Sequence, residues 1–304
     1  MLGALRFGFH MRRDTYAFIY DDFLNDRKYE RGLAALDARL ASLDLVGRAA
    51  RLTLFRSAKE IIESMVSQGS DTVVLVGNDQ TLDKVMWFLP DLDVTLGFLP
   101  IDEPSRVAQI LGIPKGEVAC DVLAARLIET IDVGRLDERY FLTEVALEHT
   151  LAAVDVEGRY RISPSVGGSI FIRNLGSLAE NGTASADAKD GYLEVVIRPE
   201  EEKNSRLFRR AAALETRVML KTGEIVASQP IEARVDNHVM NSMRFKIGIC
   251  PRKLKLITGR RRRLAPEGEG LPNAEKTANL PFTTVQMQKA STGGGIGIRT
   301  SLRG

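Results

Sequence analysis

The sequence predicts an open, mostly parallel α/β sheet in its N-terminal half and a mostly antiparallel β-domain after it. Three observations carry this. Strand-like and helix-like segments alternate from residue 15 to residue 113. One strand, DTVVLV (71–76), is apolar on both faces, as a parallel strand covered by helices must be. After about residue 140 the pattern becomes a series of short alternating strands punctuated by glycine turns.

TYAFIYDD (15–22) reads as the first strand. Residues 27–43 place Leu33, Leu36, Leu40 and Leu43 at helical spacing, with charges between them. RAARLTLF (48–55) alternates as a strand does. SAKEIIESMVSQG (57–69) opens on Ser57 with Glu60 three residues later, a capping-box signature, and Gly69 suits the stop. After 71–76 come a helix over 81–89, a strand over 94–100, and a helix over 105–113 that Pro114 ends. Strands then follow through 140–174, 190–199, 223–237 and 243–257, with a helix expected over 202–217. The resulting division is an N-terminal extension (1–14), an α/β domain (15–140), a β-domain (141–258) and a flexible basic, glycine-rich tail (259–304). GGGIG (293–297) has no helical pattern behind it and belongs to that tail.

Composition narrows the class. The 304 residues are 44% hydrophobic and 27% charged, as in a globular chain. No apolar run approaches the roughly 18–20 residues a bilayer span needs. The start, MLGALRFGFHMRR, lacks a signal-peptide core, and the two cysteines are far apart, so a reduced cytoplasmic interior is expected. Three histidines exclude a histidine-rich metal site. Net charge is +2, but Arg260-Arg261-Arg262-Arg263 concentrate positive charge. That run reads either as a solvated segment or as a peripheral contact with an anionic membrane surface. With no interleaved aromatics it is a poor nucleic-acid platform.

The chemistry-bearing stretch is VVLVGNDQTLDKV (73–85), a buried strand running into Gly77-Asn78-Asp79-Gln80-Thr81 and then a helix. Ligands of open α/β sheets bind beyond such strand ends. Asp79 and Thr81 also read as simple helix caps.

Together, the α/β half, this loop and the β-domain resemble the diacylglycerol kinase catalytic-domain family, the bacterial lipid-kinase and sphingosine-kinase group. NAD kinases are distant fold relatives. The family loop is G-G-D-G-T. Its strand–P-L-G-T-G-N-D-F-A–L-G-I-P feature corresponds to FLPIDEPSRVAQILGIP (98–114), and its P-x-A-x-x-D-G-x-L-x-V to ADAKDGYLEVVI (186–197). A D-G-E turn followed by P-x-x-L-x-V corresponds to VDNHVM (235–240) and CPRKLKLI (250–257). The resemblance spans residues 15–258 in matching order, and marks the chain as a divergent member. It implies a Rossmann-like nucleotide-binding domain followed by a β-sandwich, an NAD kinase/diacylglycerol kinase-like fold.

The implied activity is phosphoryl transfer from ATP, with Mg²⁺, to a lipid or other hydroxyl-bearing small molecule. Gly77, Asn78, Asp79, Gln80 and Thr81 would face the nucleotide, with Thr53 and Glu103 near it. Asp79 would organise metal, and His238 stands where the family has its general base. A structural Mg²⁺ would involve Asp187, Asp190 and Tyr192, the first and last through main-chain oxygen. The departures are equally specific. Asn78 and Gln80 replace glycines, and Gln80 would be strained if its φ had to be positive. Asp102 and Glu103 put two acids beside a triphosphate, which repel it unless a metal bridges them. The family's N-P-x-S-G loop is replaced by YDDFLND (20–26). His238 also reads as a surface-turn residue, Asp190-Gly191 as a plain turn, and Trp87 as core. A non-catalytic nucleotide- or lipid-binding relative with a regulatory role, and a membrane-surface module, stand as alternatives.

Overall fold

The computed structural model describes residues 15–53, 56–101, 105–164, 167–176, 186–200, 215–265 and 285–289. Its first strand, β1 (Tyr16–Tyr20), is buried along its whole length. Two 3₁₀ turns lead to α1 (Glu30–Ser42), which buries Leu33, Leu36 and Leu40, the spacing read from the sequence. β2 (Gly47–Arg51) is an exposed edge. Ser57 stands at the N-cap of α2 (Ala58–Ser67), but its side chain makes no capping bond, so the expected capping box is absent there. Gly69 takes the left-handed stop at φ 100°. β3 (Thr72–Gly77), α3 (Asp79–Met86), β4 (Thr95–Pro100), α4 (Arg106–Leu111) and α5 (Ala119–Ala125) complete the α/β region.

The parallel strands lie in the order β4-β3-β1-β2. The chain leaves β1 for β2 on one side and returns to β3 on the other. That reversal is a topological switch point, flanked by the carboxyl ends of β1 and β3.

Antiparallel strands follow: β5 (Leu127–Leu136), β6 (Arg139–Phe141), β7 (Glu144–Thr150), β8 (Ala153–Val156), β9 (Tyr160–Pro164) and β10 (Gly168–Arg173). They continue as β11 (Leu193–Pro199), β12 (Thr216–Leu220), β13 (Thr222–Val235) and β14 (His238–Thr258). The helix expected over 202–217 does not extend to its end, because Thr216 and Arg217 begin β12; residues 201–214 lie outside the described residues.

The buried side chains form two clusters. One spans the α/β region and the other the antiparallel strands. β5 and β14 run through both. Phe245 and Ile247 of β14 lie in the second cluster, whereas Leu254, Leu256 and Ile257 lie in the first, where β14 pairs in parallel with β4. β14 therefore returns to the first core instead of ending in the second.

The expected tail behaves differently from a flexible segment over two stretches. Gly259 and Arg263 donate backbone N–H to Leu111 and Ile110 of α4, each at 2.8 Å, and Leu264 is buried. Burying one leucine contributes about 1.5–3 kcal/mol, enough to hold a short strap. Further on, β15 (Val285–Lys289) pairs with β9. GGGIG lies outside the described residues.

Candidate functional site

The GNDQT loop carries no left-handed residue. Asn78 is extended at φ −136°, and Asp79 and Gln80 are already helical. The strain expected at Gln80 therefore does not arise. The loop works as a capping box. Asn78 Oδ1 accepts from Thr81 N–H at 3.2 Å, and Thr81 Oγ1 accepts from Asn78 N–H at 3.0 Å. Gly77 is required beneath it, because a Cβ there would meet Thr81 Oγ1 at 2.1 Å.

At the switch point, Thr81 Oγ1 donates to Asp21 Oδ2 at 2.5 Å. The other oxygen of Asp21 accepts from Lys84 Nζ at 2.5 Å and from Asp22 N–H at 2.6 Å. Lys84 also reaches Asp22 at 2.8 Å. Asp21 is fully buried, and burial pushes its pKa up, against the pull of Lys84 and Thr81. Bonds to Asp21 and Lys84 hold Asp22 low. Burial of Lys84 opposes its charge, but the two carboxylates win and raise its pKa.

Asp79 turns toward α4. Its carboxylate accepts from Ser105 Oγ and, at 2.9 Å, from Arg106 N–H. Ser105 in turn caps α4 by accepting from Ala108 N–H at 2.9 Å. The second loop is thus tied to the first through this carboxylate, which serves as a cap in the structure.

One helical turn further, a groove of about 430 Å³ is lined by Gln80, Asp83, Lys84, Trp87, Arg139 and the Asn237-His238 turn. Trp87, expected in the core, is 36% exposed on its wall, with Lys59 Nζ over its ring at 5.4 Å. Asp83 accepts from the Asn237 side-chain amide. Burial, then the Asp236 carboxylate, pushes the Asp83 pKa up to about 7. His238 is held below the ordinary imidazole value by desolvation and by Arg139. The β13–β14 turn that carries it is fixed by Asp236, at φ 52°. The Asp236 carboxylate accepts N–H bonds from Leu142 (2.9 Å), Thr143 (2.8 Å) and Glu144 (3.2 Å), and the Thr143 hydroxyl at 2.5 Å.

The expected metal positions form a separate cluster. Asp187 and Asp190 accept from Lys189 and Tyr192 N–H groups at 2.9 and 2.8 Å. Asp132, buried in β5, accepts from Gly191 N–H at 2.8 Å and from Arg252 N–H, in the β14 bulge, at 2.7 Å. Burial, with Asp187 and Asp132, pushes the Asp190 pKa up to about 6. Crowded carboxylates of this kind fit a hard cation bound by oxygen. No group of three or more His, Cys, Asp or Glu among the described residues is placed to hold a metal ion by side chains alone, so main-chain oxygens such as that of Tyr192 would have to contribute.

Thr53 is exposed just beyond β2, in a bridge with Arg56. Asp102 and Glu103 lie outside the described residues. The structure therefore brings Gly77–Thr81, Asp79 and His238 around α3, and keeps Asp187, Asp190 and Tyr192 apart in their own loop.

No family model matches the sequence. The diacylglycerol kinase of Mycobacterium tuberculosis (strain CDC 1551 / Oshkosh) is 28% identical over 83 residues, 27% of each chain. That of Bacillus subtilis (strain 168) is 32% identical over 76 residues, 24% of this chain and 25% of that one. The matched stretch thus spans about a quarter of these curated relatives. The fold match is far longer. A diacylglycerol kinase structure from Bacillus anthracis str. Sterne superposes with a TM-score of 0.66 at 14% identity, covering 82% of this chain and 98% of the other. A second structure from that organism gives 0.68 at 14% identity, covering 82% and 97%. The chain has the fold of these bacterial diacylglycerol kinase structures and is similar in sequence to the curated diacylglycerol kinases over about a quarter of its length.

The sequence reading missed Asp21, Asp83, Lys84, Arg139 and Asp132. Asp83 and Lys84 lie in the loop's own helix, at i+3 and i+4 from Gln80, where helical spacing could have flagged them. Asp21 carried a signal too, since an acid replaces the family's neutral loop. Arg139 and Asp132 come from distant strands and had none. No helix among the described residues is long and apolar enough to cross a membrane.

Proposed function

We propose that the chain is a lipid-kinase-like phosphotransferase that uses ATP and Mg²⁺ to phosphorylate a hydroxyl of a lipid, with a degenerate nucleotide side. The observation that carries this reading is the groove beside the GNDQT loop, lined by both His238, held below the ordinary imidazole value, and Asp83, with its pKa near 7. A group that can accept a proton at pH 7, close to a phosphate-type loop, is what activation of an alcohol requires. His238 would take the hydroxyl proton and Asp83 would serve as its neighbour or substitute. Arg139 and Lys84 would offset anionic charge, and Gln80 and Trp87 would shape the acceptor's seat. Asp79 is the candidate to organise catalytic metal, and Asp187, Asp190 and Tyr192 the structural one. When bound, Mg²⁺ would neutralise phosphate charge. Arg260–Arg263, exposed on a strap packed against α4, would hold the chain peripherally at an anionic membrane, where lipid substrate resides.

The test is radiolabelled phosphoryl transfer from ATP to diacylglycerol in mixed micelles. We expect Mg²⁺-dependent turnover that falls at least about 100-fold in H238A, the scale of a lost general base. Wild-type turnover indistinguishable from buffer, in a folded chain, would reject the enzyme reading.

A second reading is favoured by the capping box and by Asp79. The groups that would take phosphate are engaged within the chain, as in a binding or regulatory relative. That reading expects ligand stabilisation with no phosphate released or transferred.

A further inference from the structure

We propose that Asp21 is a tethered internal anion whose carboxylate occupies the switch-point seat where a phosphoryl oxygen would bind, so that it makes this chain discriminate against polyphosphate there. The inference deepens the reading above and rests on it for the placement of the nucleotide's phosphates.

Position comes first. Asp21 directly follows β1, and its N–H continues the sheet by donating to Val76 of β3 at 3.1 Å. Its carboxylate therefore stands beyond the two strand ends that flank the switch point, the place where open α/β sheets hold their ligands. The donor set comes second. A hydroxyl in the first turn of a helix, an ammonium one turn later and a loop N–H are the groups that cradle an oxyanion. Thr81, Lys84 and Asp22 supply them, and all three point at Asp21.

A purely structural cap would look different. Capping the 3₁₀ turn needs only the bond from Asp22 N–H, through one oxygen. Asp21 uses both oxygens and has no solvent exposure. Two further donors at the head of α3, the N–H groups of Asn78 and Thr81, close the capping box. A phosphate oxygen reaching Thr81 or Lys84 would have to displace Asp21 or sit against it, like charge on like charge.

Two measurements on the full chain, with metal left out, test this. In wild type, pyrophosphate up to millimolar concentration should leave the amide resonances of Asn78, Thr81 and Asp22 unmoved; saturable shifts at micromolar concentration would overturn the proposal. By calorimetry, D21S, which empties the seat, should bind pyrophosphate at least tenfold more tightly than wild type, about 1.4 kcal/mol. The isosteric D21N should gain in the same direction, and K84M introduced into D21S should abolish the gain. Equal or weaker binding by folded D21S and D21N would overturn the proposal, and the wild-type resonances decide the matter if neither variant folds. These readouts are independent of turnover. Tight nucleotide use by wild type would sink this inference and leave the enzyme reading standing, whereas a gain in D21S without lipid phosphorylation would do the reverse.

Discussion

The hydroxyl of Thr81 donates to the buried carboxylate of Asp21, sixty positions away in sequence, and that contact joins the end of β1 to the head of α3. It makes the GNDQT loop an internally satisfied junction. Several measurable consequences depend on it and on its neighbours.

Thr81→Val keeps the shape of the side chain but removes the hydroxyl. Asn78 N–H then loses its acceptor and the buried Asp21 carboxylate one donor. A loss of about 2–3 kcal/mol is expected in urea unfolding. Gly77→Ala should cost a similar amount, because its Cβ would fall 2.1 Å from Thr81 Oγ1. Unchanged midpoints in both would mean that the junction is not formed in solution.

Asp79→Ala releases Ser105 Oγ and Arg106 N–H at the start of α4. With no ligand present, a loss of about 1–2 kcal/mol is expected, the size of a lost cap. If Asp79 also organises metal, the variant should in addition lose any rise in Tm that Mg²⁺ and ATP together give wild type. A variant that keeps that rise assigns Asp79 to capping alone.

Asp83 gives a pH signature. Its folded pKa near 7 lies above the ordinary carboxylate value of 3.8. Between those values the folded state keeps a proton that the unfolded state has released, so stability falls as pH rises through this window and levels off above about 7. Asp83→Asn removes the titration and preserves the bond from Asn237. The variant should gain on wild type from pH 5 to pH 8, by at most about 4 kcal/mol, three pKa units at roughly 1.4 kcal/mol each. Parallel Tm–pH curves for the two proteins would contradict the buried, repelled carboxylate seen here.

Asp236→Ala strips the acceptor from three backbone N–H groups and one hydroxyl. A loss of about 3–4 kcal/mol is expected, within the range for broken buried networks. Any lipid-kinase activity should fall with it, since the same turn carries His238. Asp236→Asn, which can still accept through one oxygen, should lose less of both. Equal stability in wild type and Asp236→Ala would show that the turn is held by something else.

Much of the fold was legible in the sequence. The all-apolar 71–76 run, the leucine spacing of α1 and the change of period near residue 140 each report local geometry, because side-chain period follows directly from helix and strand repeat. Ordered motifs added the kinase-like resemblance. Local pattern failed where competing partners decided the outcome. Ser57 had the capping-box signature and made no cap, while Asn78 and Thr81 formed the box instead. Trp87 looked like core and lines the groove wall.

By itself the sequence determined the α/β-then-β order, the GNDQT loop at a strand end and the acids that stand where neutral donors belong. Only the tertiary structure decided what those acids do. Asp21 meets Thr81 and Lys84 because parallel pairing sets β1 beside β3, Asp83 meets Asn237 because the β13–β14 turn closes over α3, and Asp132 pins β14 to the loop at Gly191. Each contact joins residues far apart in the chain, and a charge acquires its pKa and its partner only from what packing places around it, which no local period encodes.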